Sequence, residues 1–109
     1  MGSMRKMSTT IGKALTGAYI LYSCKGGPKT GYRLMHDARE IVLAAWSPGS
    51  FYPVVDALLK NGMLTKTRLK GRRVTYAYRT TKEGRAYLKR ISGYFRDRRL
   101  REFFSYLMG

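Results

Sequence analysis

The chain has 109 residues, enough for one domain with a modest core, and its 22 basic against 6 acidic residues give a net charge of +16. Charge of that size selects polyanionic partners, double-stranded DNA ahead of an anionic membrane surface. A single histidine and a single cysteine leave no basis for a Ser-His-Asp or Cys-His catalytic set, a complete metal site or an internal disulfide, so no enzyme, cofactor or metal is expected.

The longest apolar run, near Ala18 to Tyr22, is too short to span a bilayer, and no signal peptide is visible. A membrane partner is therefore not expected. The lone Cys24 suits a reducing compartment, so a cytoplasmic, nucleoid-associated protein is expected.

Met1-Gly2-Ser3 ahead of Met4 reads as a cloning remnant, and residues 1–8 as a disordered segment. Thr9 or Thr10 is placed to cap a first helix, in which Ile11, Leu15, Ala18, Tyr19 and Tyr22 recur at helical spacing. Cys24 reads as a small core residue near its end. Lys25-Gly26-Gly27-Pro28 breaks the helix. A second helix starts at Thr30-Gly31, with Tyr32, Met35, Ala38 or Arg39, Val42 and Ala45 inward and Trp46 as a core plug. His36 and Glu40 stand at i,i+4 spacing on it and read as a surface polar pair.

The stretch from Trp46 to Leu64 organises the rest. Ser50 is a good N-cap, and Pro53 falls in the first turn, where a missing N–H costs little. At about 100° per residue, Phe51, Val54, Val55, Leu58 and Gly62 share one arc, and Tyr52, Pro53, Asp56, Ala57 and Lys60 the other. Asn61-Gly62 ends the helix, with Gly62 at the left-handed cap position. The result is a third helix with a buried back and an uncrowded outer face.

After Leu64 the period changes from 3.6 to 2. Thr65 to Leu69 and Arg73 to Arg79 read as two strands, the second with Val74, Tyr76 and Tyr78 on one face. The turn Lys70-Gly71-Arg72 makes a basic tip from Lys70, Arg72 and Arg73. Thr80 or Thr81 caps a fourth helix with Glu83 in its first turn. Its stripe is Ala86 or Tyr87, Leu88, Ile91, Tyr94 and Phe95. Arg96-Asp97-Arg98-Arg99 interrupts before a second apolar set, Leu100, Phe103, Phe104 and Leu107; either one helix bends there or two meet. Residues 1–65 carry eight of the 22 basic residues, so residues 66–109 carry the other fourteen. That bias points to a basic face built from the hairpin and the helix after it.

Three helices, a hairpin and a last helix form an α+β winged helix-turn-helix: a domain over residues 9–80 with a two-stranded wing, then a C-terminal dimerisation helix over 81–109. The order resembles the PadR-like family of winged-helix transcriptional regulators. The resemblance covers about residues 11–90 and lies in three motifs. Gly27-Pro28-Lys29-Thr30-Gly31-Tyr32 is similar to the family's Gly-Pro-x-x-Gly-Tyr lead into helix 2. Ser47-Pro48-Gly49-Ser50-Phe51-Tyr52-Pro53 is similar to its Ser-Pro-Gly-x-x-Tyr-Pro recognition helix. The segment from Gly71 to Arg85 is similar to its wing and the Leu-Thr-x-x-Gly start of helix 4, with Arg79 where an aliphatic residue is usual.

The resemblance implies a homodimeric, sequence-preferring regulator of transcription, often a repressor, with helix 3 in the major groove. It assigns Ser50, Tyr52 and Pro53 to DNA at the start of helix 3, Lys29, Thr30 and Tyr32 to phosphates, and Lys70, Arg72 and Arg73 to the wing. Those residue types suit the tasks, since helix N-termini, Lys, Thr and Tyr bind phosphate and Arg suits a narrow minor groove. The apolar C-terminal stripe, Leu88, Ile91, Phe95, Phe103, Phe104 and Leu107, with Ile11 and Leu15 of helix 1, is the expected dimer contact. Some relatives bind planar drugs through a Trp on the last helix; that helix has no Trp here, so a small-molecule effector has no support. The outer face of helix 3 has no Arg, Asn or Gln near its start, which leaves an alternative open: an architectural, chromatin-like protein coating duplex DNA with little sequence preference.

Overall fold

A computed structural model describes residues 2–40 and 48–109, without the side chains of 2–11, 39 and 48–50. Its elements are α1 (Gly2–Cys24), β1 (Lys29–Thr30), α2 (Gly31–Glu40), α3 (Pro48–Lys60), β2 (Leu64–Leu69), β3 (Thr75–Thr80), α4 (Lys82–Tyr94) and α5 (Arg98–Met108). The strands form one antiparallel sheet in the order β1-β3-β2. The α+β winged-helix architecture expected from the sequence is present. Trp46, Val42 and Ala45 lie outside the described residues.

Several boundaries differ from the expected ones. Helix α1 starts at Gly2, ahead of Thr9 and Thr10, so residues 2–8 are helical rather than disordered. From Ser3 to Ile11 no Gly or Pro interrupts the chain, and Met, Arg and Lys favour helix. Helix α3 starts at Pro48, not after a Ser50 cap. Proline suits a first helical position because the N–H it lacks has no intrahelical partner there. Pro53 therefore sits deeper than expected, inside the helix. Strand β3 starts at Thr75, which moves Arg73 and Val74 from the strand into the wing tip, where Val74 is 62% exposed.

The core forms where α1, α2 and α3 meet the sheet, around Ile20, Leu21, Cys24, Leu34, Phe51, Val55, Leu64 and Tyr78. The predicted buried arc of α3 is found: Phe51, Val54, Val55 and Leu58 are buried, while Tyr52, Pro53, Asp56, Ala57 and Lys60 are exposed. Gly62 is exposed at φ 72° and closes the helix. Its N–H donates to the Leu59 carbonyl at 3.1 Å and that of Met63 to the Leu58 carbonyl at 2.9 Å, a double bond pattern that needs the left-handed residue. On α2 Ala38 is inward as expected and Met35 packs against the core, but Gly31 and Leu34 are inward in place of the expected Tyr32. Gly31, Leu34 and Ala38 are buried, and Tyr32 is 74% exposed.

The wing is fastened to the body at its base. Thr80, buried, donates its hydroxyl to the Leu21 carbonyl of α1 at 2.7 Å. Thr81 caps α4, accepting from the Gly84 N–H at 3.1 Å, and its own hydroxyl donates to the Gly62 carbonyl at 2.6 Å. The Thr81 N–H donates to the Met63 carbonyl at 3.0 Å. Gly84 packs directly beneath. A Cβ there would overlap the Met63 carbonyl oxygen and stand 2.6 Å from Thr80 Cγ2, so only glycine fits. The end of α3, both ends of the wing and the start of α4 thus share one knot.

Candidate nucleic-acid interface

The third strand, β1, is absent from the sequence reading, and it positions the phosphate-binding candidates. Lys29 and Thr30 pair with Tyr78 and Ala77 of β3, which fixes the start of α2 against the base of the wing. Both side chains are half-buried. Thr30 Oγ1 accepts from the Arg33 N–H at 3.1 Å and so caps α2. The first N–H groups of α2 have no helical partner and carry the positive end of the helix dipole, which makes this corner a natural anion site. Tyr32 projects beside it, stacked on His36 with 6.4 Å between ring centres.

Helix α3 meets that corner through Tyr52. A Cβ on Gly31 would lie 3.2 Å from the Tyr52 hydroxyl and 3.5 Å from Tyr78 Cε2, so the two tyrosines close over a glycine. Tyr52 also sits edge-on to Phe51, with centroids 5.2 Å apart. It is 38% exposed. Tyr52 therefore locks α3 to α2 and the wing as well as facing outward. Pro53 follows it on the exposed face. The Ser50 side chain lies outside the described ones.

Lys70, Arg72 and Arg73 are all exposed at the wing tip, beyond the last paired residues, Leu69 and Thr75. By strand rise Leu69, at the foot of the tip, stands about 17 Å from Leu64 at the strand's start. The structure thus joins the α2 and α3 candidates at one corner and sets the tip apart from it.

Sequence reasoning puts Tyr76 on the face of Tyr78 but gives neither it nor Lys66 a place in the site. Register pairs Lys66 with Tyr78 and Arg68 with Tyr76, so both cations share the sheet face of Leu64 and Tyr78. The Lys66 ammonium lies over the Tyr76 ring, 4.5 Å from its centre. Alternation from Leu64 would have placed them had that residue been included in the strand. Burial first, then the nearby Tyr52, Asp56 and Tyr76, raise the Tyr78 hydroxyl above its ordinary range and keep it protonated. Tyrosine tips from α3 and β3 therefore gather between the outer face of α3 and the wing.

His36 and Glu40, expected as a polar pair, belong to an exposed cluster with Asp37 and Arg33. Arg33 Nε is 3.2 Å from Asp37, and His36 is 3.8 Å from both carboxylates. Cys24 is buried, and that burial pushes its thiol up to about 11, which leaves it an unreactive core group.

Of the two arrangements left open after Arg96, a bent helix or two helices, the C-terminal segment has two helices, α4 and α5. Asp97 caps α5 by accepting from the N–H groups of Arg99 and Leu100 at 2.9 and 3.2 Å. At the corner, Phe95 stacks on Phe104 with centroids 4.4 Å apart. Leu88, Ile91 and Phe104 are half-buried, and no residue of α5 is buried. Phe103 and Leu107 of the predicted stripe remain largely exposed, as do Tyr106 at 80% and Met108 at 81%. Leu15 is exposed on α1, and the Ile11 side chain lies outside the described ones.

A short helix with an uncrowded outer face, a capped helix start beside it and a basic hairpin behind define a winged helix-turn-helix DNA-binding domain. Residues 20–90 match the profile of the transcriptional regulator PadR-like family, and the chain belongs to that family of DNA-binding, non-enzymatic regulators. The fold is similar to a PadR-like transcription factor from Bacteroides fragilis (TM-score 0.76, 15% identity, covering 94% of this chain and 98% of that one). It is also similar to a PadR family regulator from Eggerthella lenta (TM-score 0.74, 19% identity, 98% and 93% covered). A third likeness is a PadR family regulator from Clostridium difficile (TM-score 0.70, 14% identity, 86% and 98% covered). No curated protein matches the chain significantly. Among the described residues no helix is long and apolar enough to cross a membrane.

Proposed function

We propose that this regulator binds duplex DNA as a homodimer with sequence preference and represses transcription. The outer face of α3 carries the reading: it is exposed, lined by Tyr52, Pro53, Asp56, Ala57 and Lys60, and locked through Tyr52 to the α2 start and the wing base. In this reading α3 enters the major groove from Ser50 onward. Lys29, Thr30 and Tyr32 take the flanking phosphates, and Lys70, Arg72 and Arg73 take the adjacent minor groove or backbone. The residues from 81 on form the dimer contact. Phe103, Tyr106, Leu107 and Met108 are costly to leave in water, and a two-fold contact with α1 and α5 of a second copy would cover them.

Two measurements test this. Duplex affinity should fall steeply with salt, with a log–log slope near −0.9 for each phosphate neutralised. A chain ending after Arg96 should lose the dimer in light scattering while the winged core still folds. Affinity insensitive to salt, or a truncated chain still dimeric and binding DNA unchanged, contradicts the reading.

A further inference from the structure

Asp56 is exposed on the outer face of α3, one turn after Tyr52 and Pro53 and one turn before Lys60. Among the described residues its carboxylate joins no ion pair and no hydrogen bond. Its electrostatic neighbour is the Tyr78 hydroxyl, held neutral mainly by burial and also by facing Tyr52 and Asp56.

That charge works against general affinity for DNA. The chain has 22 basic and only 6 acidic residues, yet one acid stands in the middle of the face that meets the duplex. It repels any phosphate within the screening length, about 8 Å at physiological salt. A carboxylate in this place binds favourably only where it accepts a hydrogen bond. The major groove offers two donors. Adenine N6 lies between two acceptors, its own N7 and thymine O4. Cytosine N4 has an acceptor, guanine O6, on one side only. Guanine N7 and O6 and thymine O4 repel a carboxylate outright. The neighbours on this face compete little for that role, because Pro53 and Ala57 have no polar side-chain group, Lys60 only donates, and the Tyr52 hydroxyl is turned onto Gly31, 3.2 Å from its Cβ position.

We propose that Asp56 is the specificity-determining residue of α3 and accepts a hydrogen bond from the N4 amino group of one cytosine in each half-site. The proposal rests on α3 being the helix that enters the major groove. It supplies the base readout that the start of the helix lacks.

Selection from random duplex DNA at physiological salt, run with the natural chain, Asp56→Ala and Asp56→Asn, tests it. The natural chain should recover a motif with cytosine at one fixed position, preferred about tenfold or more. Asp56→Ala should lose preference at that position alone, keep the rest of the motif and bind random duplex more tightly. Asp56→Asn should shift the same position toward adenine, whose N6 and N7 suit an amide. The side chain is exposed, so melting curves of the variants should match the natural chain. A motif unchanged in Asp56→Ala overturns this proposal alone. So does a uniform gain in affinity with every position kept, which is simple repulsion. No enrichment by the natural chain overturns it together with the regulator reading.

Discussion

Gly84→Ala sets two forces against each other. In a helix, alanine is preferred to glycine by up to about 1 kcal/mol, so propensity alone predicts a more stable protein. The structure predicts the reverse. The new methyl would overlap the Met63 carbonyl oxygen and crowd Thr80 Cγ2 at 2.6 Å and Leu21 Cδ2 at 3.3 Å. The first obstacle is backbone and the second a stiff, buried β-branched side chain, so α4 must move. Overpacking of this kind costs about 1–3 kcal/mol. Moving α4 also disturbs the Thr81 cap, worth about 1 kcal/mol, and the bond from Thr81 N–H to the Met63 carbonyl, worth about as much. The net expectation is a loss of about 2–4 kcal/mol, or roughly 10–20 °C in Tm for a domain of this size. Gly93→Ala is the internal control, because nothing lies within 4 Å of its Cβ position, and it should be neutral or stabilising. Thermal melts by circular dichroism at one protein concentration read both. A Gly84→Ala protein as stable as the natural one would show that the packing of α4 under the wing is not as described.

Gly31→Ala places a methyl 3.2 Å from the Tyr52 hydroxyl; it should displace that ring and weaken duplex binding several-fold with little loss of Tm, read by fluorescence anisotropy beside a melt. Replacing Arg72 and Arg73 together by alanine should leave the melt unchanged and make the salt slope shallower by about 0.9 for each phosphate no longer neutralised. Cys24 keeps its proton up to about 11 when folded and to 9.0 when not, so the folded state binds more protons between those values. This group's contribution is then constant below about pH 9 and lost as pH rises through that window, a decline that Cys24→Ala should remove from urea titrations.

The buried arc of α3 and the period change after Leu64 are legible because each is a strong repeat in a short stretch. The start of α3 is harder to place because Ser50 and Pro48 both carry start signals, and the proline prevails. Strand β1 is not legible, since two residues show no period and their partners, Tyr78 and Ala77, lie about fifty residues away. Tyr32 reads as inward because it is aromatic, but Leu34 holds that position through its packing in the core. The break before α5 is visible as the run from Arg96 to Arg99, and the Asp97 cap explains it. Gly31 and Gly84 are legible as motif letters only. Their reason is steric and appears when Tyr52 and Met63 are seen to close on them.

The placement of α3 is tested most directly by footprinting a duplex recovered from random selection. Dimethyl sulfate, which reports guanine N7 in the major groove, should show two protected stretches centred about 10 base pairs apart, one helical turn, on one face of the DNA. Hydroxyl-radical protection from the wings should flank them. Even protection along the whole duplex, or guanine N7 left fully reactive under bound protein, would contradict a regulator that reads the major groove with α3.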